Sequence, residues 1–202
     1  MKELYEEMIK NYIYPFLKEY GYKKNKQYFY KHFNDIIYIF HFNLSNRNSS
    51  EITVFNINGM IYSKEIDKVI GNSVLNEPKN DDPQYNMKIN DFPVAGYTIE
   101  QKTDITKMAS EIIKGLENGE KIFSKIKTTD DLIRIMVIEN YLYKYEEILV
   151  YLLKKNEIKE TIGYIKTLYN RFRTENRWKI FEENINKTLS ENKINKKLIE
   201  LI

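Results

Sequence analysis

From Tyr22 to Ser63, aromatic and β-branched residues alternate with polar ones through three consecutive segments, each parted from the next by turn-forming residues. A period of two sends successive side chains to opposite faces of a strand, so this stretch specifies a β-meander. The segments run over 27–33, 36–44 and 51–63, split by Asn34-Asp35 and by Ser45-Asn46-Arg47-Asn48-Ser49-Ser50. A two-residue turn at Asn34-Asp35 predicts a hairpin with Phe33 opposite Ile36, Lys31 opposite Tyr38 and Phe29 opposite Phe40. Phe42, Leu44, Phe55, Ile57 and Ile61 continue that face, which is the predicted core floor. Lys31 is out of place there. An inward lysine on a short outer strand guards against edge-to-edge pairing, so the first segment is predicted to be the sheet edge. The other face collects Tyr28, Tyr30, His32, Ile37, Ile39, His41, Asn43, Ile52, Val54, Asn56 and Asn58.

Helical patterns surround the meander. Leu4, Met8, Tyr12 and Phe16, with Ile9, Ile13 and Leu17, form one broad apolar face, with a kink or break expected at Pro15 and a stop at Gly21. Ser63 is positioned to cap a short helix to Ile70, ended by Gly71. Residues 72–93 hold Pro78, Pro83 and Pro93 and read as a loop of a length uncommon in a compact domain, which makes them a lid, a disordered segment or a misread element. Residues 94–100 predict a fourth strand, and Asp104 a helix carrying Ile105, Met108, Ile112 and Leu116 to a stop at Asn118-Gly119. Beyond Thr128 the pattern is wholly helical. A long helix runs from Thr129 to about Lys155, Asn156 caps a second, Thr174 caps a third, and 194–202 make a short last one. The predicted fold class is α+β: a helix on a mostly antiparallel sheet over residues 1–126, then an all-α extension over 127–202 that packs on it.

Composition narrows the function classes. With 32 Lys and Arg against 29 Asp and Glu, the net charge of +3 is too near neutral to indicate nucleic acid or an anionic membrane by itself. The absence of cysteine removes disulfides, thiolate catalysis and Cys-ligated metals, and suits a reducing cytoplasm. The start Met1-Lys2-Glu3-Leu4-Tyr5 has neither the basic nor the apolar region of a signal peptide, and no apolar run approaches membrane-spanning length.

Leu17-Lys18, Gly21-Tyr22-Lys23, the stretch from Tyr28 to Lys31, Phe42-Asn43-Leu44-Ser45 and Phe55-Asn56-Ile57-Asn58-Gly59 resemble a bacterial family known only as domain of unknown function 4304. The likeness covers residues 1–65, and more loosely the helix from Asp104. It implies a small α+β protein and carries over no catalytic residue.

Chemistry-bearing candidates are few. His32 and His41 share a strand face but stand four residues apart, too far to hold one metal, and no acidic residue on that face can orient either as a base. His41, Asn43, Asn56 and Asn58, with Tyr28 and Tyr30, compose a polar and aromatic recognition patch. Lys18, Lys23, Lys24, Lys26 and Lys31 interleave with Tyr20, Tyr22, Tyr28, Phe29 and Tyr30, a composition that can bind single-stranded nucleic acid. The acidic pairs Asp81-Asp82, Asp130-Asp131, Glu146-Glu147 and Glu182-Glu183 lack partners for hydrolysis or cation binding. The preferred expectation is a non-catalytic module that binds another protein, with immunity or toxin neutralisation as one form, and with no cofactor or metal. A single-stranded nucleic-acid binder and a small-molecule enzyme using His41 are the alternatives.

Overall fold

A computed structural model describes residues 1–194 and 197–201. The chain divides into two compact units, Met1–Ser63 with Leu75–Thr128, and Lys64–Val74 with the chain from Thr129 onward.

In the first unit the amphipathic start becomes α1 (Lys2–Met8), a π-helical turn (Ile9–Ile13) and α2 (Tyr14–Glu19). The interruption expected at Pro15 takes the form of this wider turn. Pro15 has no N–H to offer residue 11, and the turn, closed by the Tyr14 N–H on the Ile9 carbonyl, accommodates its ring without ending the helical run. The stop at Gly21 is as predicted. Gly21 has φ +88°, its N–H donates to the Lys18 carbonyl, and the Tyr22 N–H donates to that of Leu17, each at 3.0 Å.

The sheet comprises β1 (Lys23–Asn25), β2 (Tyr28–Phe33), β3 (Ile36–Leu44) and β4 (Thr53–Ser63), all antiparallel. After β4 comes α3 (Lys64–Ile70), a member of the second unit that ends at Gly71 with φ +95°. β5 (Tyr85–Met87) and β6 (Tyr97–Ile99) then both pair with β4. The predicted hairpin register holds at every position, including Phe33 with Ile36, Lys31 with Tyr38 and Phe29 with Phe40. One expectation is corrected and one open choice is resolved. β2 is not the edge along its first half, because β1 pairs with Tyr28, Phe29 and Tyr30, and Lys23-Lys24-Asn25 is too short and polar to announce itself by alternation. Of the readings left open for residues 72–93, the misread element is the one that holds, because they contain β5, paired with Gly59, Met60 and Ile61.

α4 (Ile105–Phe123) covers the predicted core floor, and its first turn is capped by Asp104, which accepts from the Thr106 and Lys107 N–H groups at 3.0 Å. The helix does not stop at Gly119. That glycine is a point of close approach: a Cβ there would lie 2.8 Å from Phe40 Cζ. One turn on, Phe123 packs on Tyr38 and Phe40 with ring centroids 5.0 and 5.1 Å apart. Phe29, Phe40, Phe42 and Phe55 are wholly buried on this face, whereas Phe33 at its end is exposed.

Lys31 proves to be a core partner rather than an edge guard. Its Nζ lies 2.6 Å from Glu120 Oε2 and 5.5 Å from the centre of the Tyr22 ring, and the Tyr22 hydroxyl donates to Glu120 Oε1. Burial, and then the Glu120 carboxylate, hold the Tyr22 hydroxyl well above the usual tyrosine pKa. On the opposite sheet face, Tyr28, Tyr30, Ile37, Ile39, Met60 and Tyr62 form a second buried cluster with Leu75 packed against it.

The second unit contains α3 with α5 (Thr129–Ile138), α6 (Tyr145–Lys154), α7 (Ile158–Phe172), α8 (Trp178–Glu191) and a 3₁₀ turn at Leu198–Glu200. α6 is its hub and packs against α3, α5, α7 and α8. The single long helix expected from Thr129 is split at Asn140, where φ is +51°, the Asn140 N–H donates to the Val137 carbonyl and the Tyr141 N–H to that of Met136. Asn156, also left-handed at +61°, ends α6 by the same pair of bonds instead of capping α7, whose N-cap is Glu157. Thr174 lies in the turn before α8, and Arg177 is the N-cap there. Within this unit Glu147 is paired with Lys144 at 2.7 Å, and burial raises its carboxyl pKa. The predicted terminal helix falls partly outside the described residues. Among those residues no helix is long and apolar enough to cross a membrane.

Candidate binding site

The meander register decides which polar residues meet. β3 and β4 place Asn43 opposite Asn56 and His41 opposite Asn58, and β2 places Tyr28 on the other side of His41. Tyr28 and His41 stack face to face with centroids 4.0 Å apart and an interplanar angle of 6°. Burial against this ring lowers the His41 pKa to about 4, so the imidazole is neutral at physiological pH, with one donor and one acceptor nitrogen.

The two tyrosines of the predicted patch do not offer contact area. Both are buried, and their hydroxyls tie down the segment after α3: Tyr28 donates to Asn80 Oδ1 at 2.8 Å, and Tyr30 to the Pro78 carbonyl at 3.1 Å. Tyr62 accepts from the Leu75 N–H at 2.8 Å in the same segment. His32 is exposed near the far end of the hairpin and takes no part.

The three asparagines behave differently. Asn43, Asn56 and Asn58 are all exposed, and none of their amides hydrogen-bonds within the chain among the described residues. The strand that carries Asn56 and Asn58, β4, is also unevenly covered. β5 pairs with Gly59 to Ile61 and β6 with Thr53 to Phe55, leaving residues 56–58 between two strand ends. Two adjoining clefts result. One, of about 450 Å³, is lined by His41, Asn43 and Asn58 with Asn80, Asp81 and Asn86; the other, of about 310 Å³, by Asn56 and Asn58 with Met87, Ile89, Phe92 and Val94. Val94, at the rim, is 99% exposed. Gly96, with φ +79°, lets the chain turn hard against Asn56: a Cβ at that position would lie 2.2 Å from Asn56 Oδ1. Asn80, Asp81, Asn86 and Val94 were not foreseen from sequence, because their place beside the sheet depends on β5 and on the Tyr28 and Tyr30 hydroxyls.

The interleaved lysines and aromatics do not assemble into an open stacking platform. Tyr22, Tyr28, Phe29 and Tyr30 are buried, Lys31 is engaged with Glu120, and Lys18, Lys23, Lys24 and Lys26 are exposed.

A family model described as "Domain of unknown function (DUF4304)" matches residues 13–191, and the chain belongs to that family. The match extends well past residue 65, through the helices to α8. No curated protein and no solved structure matches the chain.

Proposed function

We propose that the chain is a cytoplasmic, non-catalytic module that binds another protein through the amide-lined face of β3 and β4. The observation that carries this reading is the exposed, internally unsatisfied trio Asn43, Asn56 and Asn58 at adjoining register positions. Each amide supplies two donors and an acceptor, the same groups that a polypeptide backbone presents. A neutral His41 adds one of each and no charge, and Val94 adds an apolar contact at the rim. A specific interface needs about 800 Å² from each partner, so the clefts form the centre of a larger contact. A base with a pKa near 4 is a weak proton acceptor at neutral pH, which favours binding over catalysis by His41. The buried rings favour a protein partner over single-stranded nucleic acid.

Site-specific photo-cross-linking tests the reading. A benzophenone side chain at position 58, introduced in the native host, is expected to give one predominant protein adduct, identifiable by mass spectrometry. A smear of unrelated adducts, matching that from a benzophenone at exposed position 102, overturns it.

A further inference from the structure

A second concavity of the first unit shares no residue with the amide clefts. Lys2 and Lys10 reach it from the N-terminal helical run, and Lys24 and Lys26 from the β1–β2 hairpin, around a groove of about 650 Å³. Its wall is apolar, built from Tyr5, Ile9, Tyr14, Phe29 and Leu44, with the Tyr14 and Phe29 rings 6.1 Å apart. Among the described residues Glu6 is the one acidic side chain that lines it, and it lies 3.7 Å from Lys2 Nζ. Lys10, Lys24 and Lys26 are exposed and make no ion pair or hydrogen bond among the described residues. Lys24 stands in register with Phe29, so its stem lies on the sheet face that Phe29 occupies.

Three unpaired cations around a concave, low-dielectric wall focus a positive potential into the groove. Nothing in the fold needs them there, since each is solvated and none holds two elements together. The volume decides between occupants. It lies within the range of roughly 300–1,000 Å³ that encloses one small molecule, whereas a nucleic-acid strand needs a continuing track with open rings. We propose that this groove binds a small amphipathic anion, with an aromatic or aliphatic body against the half-buried Tyr14 and Leu44 and a carboxylate, sulfonate or phosphate held by Lys10, Lys24 and Lys26.

Titration of the full chain with 8-anilinonaphthalene-1-sulfonate, followed by fluorescence and by amide chemical shifts, tests this. The expected result is saturable one-to-one binding with shifts confined to residues 2–14, 24–29 and 44. Lys24→Ala/Lys26→Ala is expected to weaken it at least tenfold while melting at the wild-type temperature, and added salt to weaken it further. Absence of saturable binding at millimolar probe, an affinity indifferent to the two lysines, or shifts centred elsewhere each overturn the assignment. So does tighter binding of a labelled oligothymidylate through the same lysines, which makes the groove a nucleic-acid contact.

Discussion

Acidification should destabilise this protein through His41, and the size of the effect follows from its environment. The imidazole is buried against Tyr28, and its pKa falls from 6.5 to about 4. In the unfolded chain it takes up a proton near pH 6.5; in the folded chain it does so only near pH 4. Between those values the unfolded state binds more protons, so stability is complete above pH 6.5 and declines as pH falls, reaching a loss of about 2.5 kcal/mol at pH 4.5 from this residue alone. His41→Phe keeps a planar ring on Tyr28 and cannot titrate. Urea denaturation of both proteins at pH 7.5 and pH 4.5 isolates the contribution, because the carboxylates titrate alike in each. The wild type is expected to lose about 2.5 kcal/mol more than the variant over that interval. A difference below about 1 kcal/mol, or an NMR titration placing His41 above pH 6, refutes the reasoning about its burial.

Three further substitutions probe the packing, each read by chemical denaturation. Glu120→Ala removes the acceptor shared by Lys31 and Tyr22 and should cost about 3–5 kcal/mol, since it strands a half-buried ammonium and a buried hydroxyl; a loss under about 1 kcal/mol would show that the trio is not coupled. Gly119→Ala gains helix propensity but places a methyl 2.8 Å from the wholly buried Phe40 ring, so a net loss of about 1–3 kcal/mol is expected; unchanged stability would mean that Phe40 has room to shift. Gly163→Ala has the opposite sign, because nothing lies within 4 Å of its Cβ position on α7, and a gain of about 0.5–1 kcal/mol should follow; a loss there would show that the helix face is occupied.

The parts of the fold that local chemistry dictates could be read before any coordinates. The Asn34-Asp35 turn, with Asn34 at φ +53°, is enough to set the register of β2 on β3, and the alternation on to Ser63 assigns the faces of β4. The misread parts are those in which a residue's role depends on distant partners. Lys31 meets Glu120 across 89 positions, so nothing near Lys31 distinguishes a core ion pair from an edge guard. Gly119 looks like a helix stop because a glycine needed for Phe40 to approach has the same letter as one needed for a left-handed turn. Asn140 and Asn156 end helices in a conformation more often taken by glycine, which hid one helix end and turned another into a cap. At the candidate site, sequence alternation put Tyr28, Tyr30, His41, Asn43, Asn56 and Asn58 on one face correctly. It carried no information on which part of that face the segment from Leu75 to Asn80 covers, and that coverage separates the buried tyrosines from the exposed amides.

The affinity of the cross-linked partner for the Asn43→Ala/Asn56→Ala/Asn58→Ala variant, measured calorimetrically beside the variant's melting temperature, tests the binding claim most directly. Three amides that bond only to a partner, at about 1 kcal/mol each, predict roughly 100-fold weaker binding and an unchanged melting temperature. Wild-type affinity in the variant, or a large fall in its melting temperature, contradicts the account.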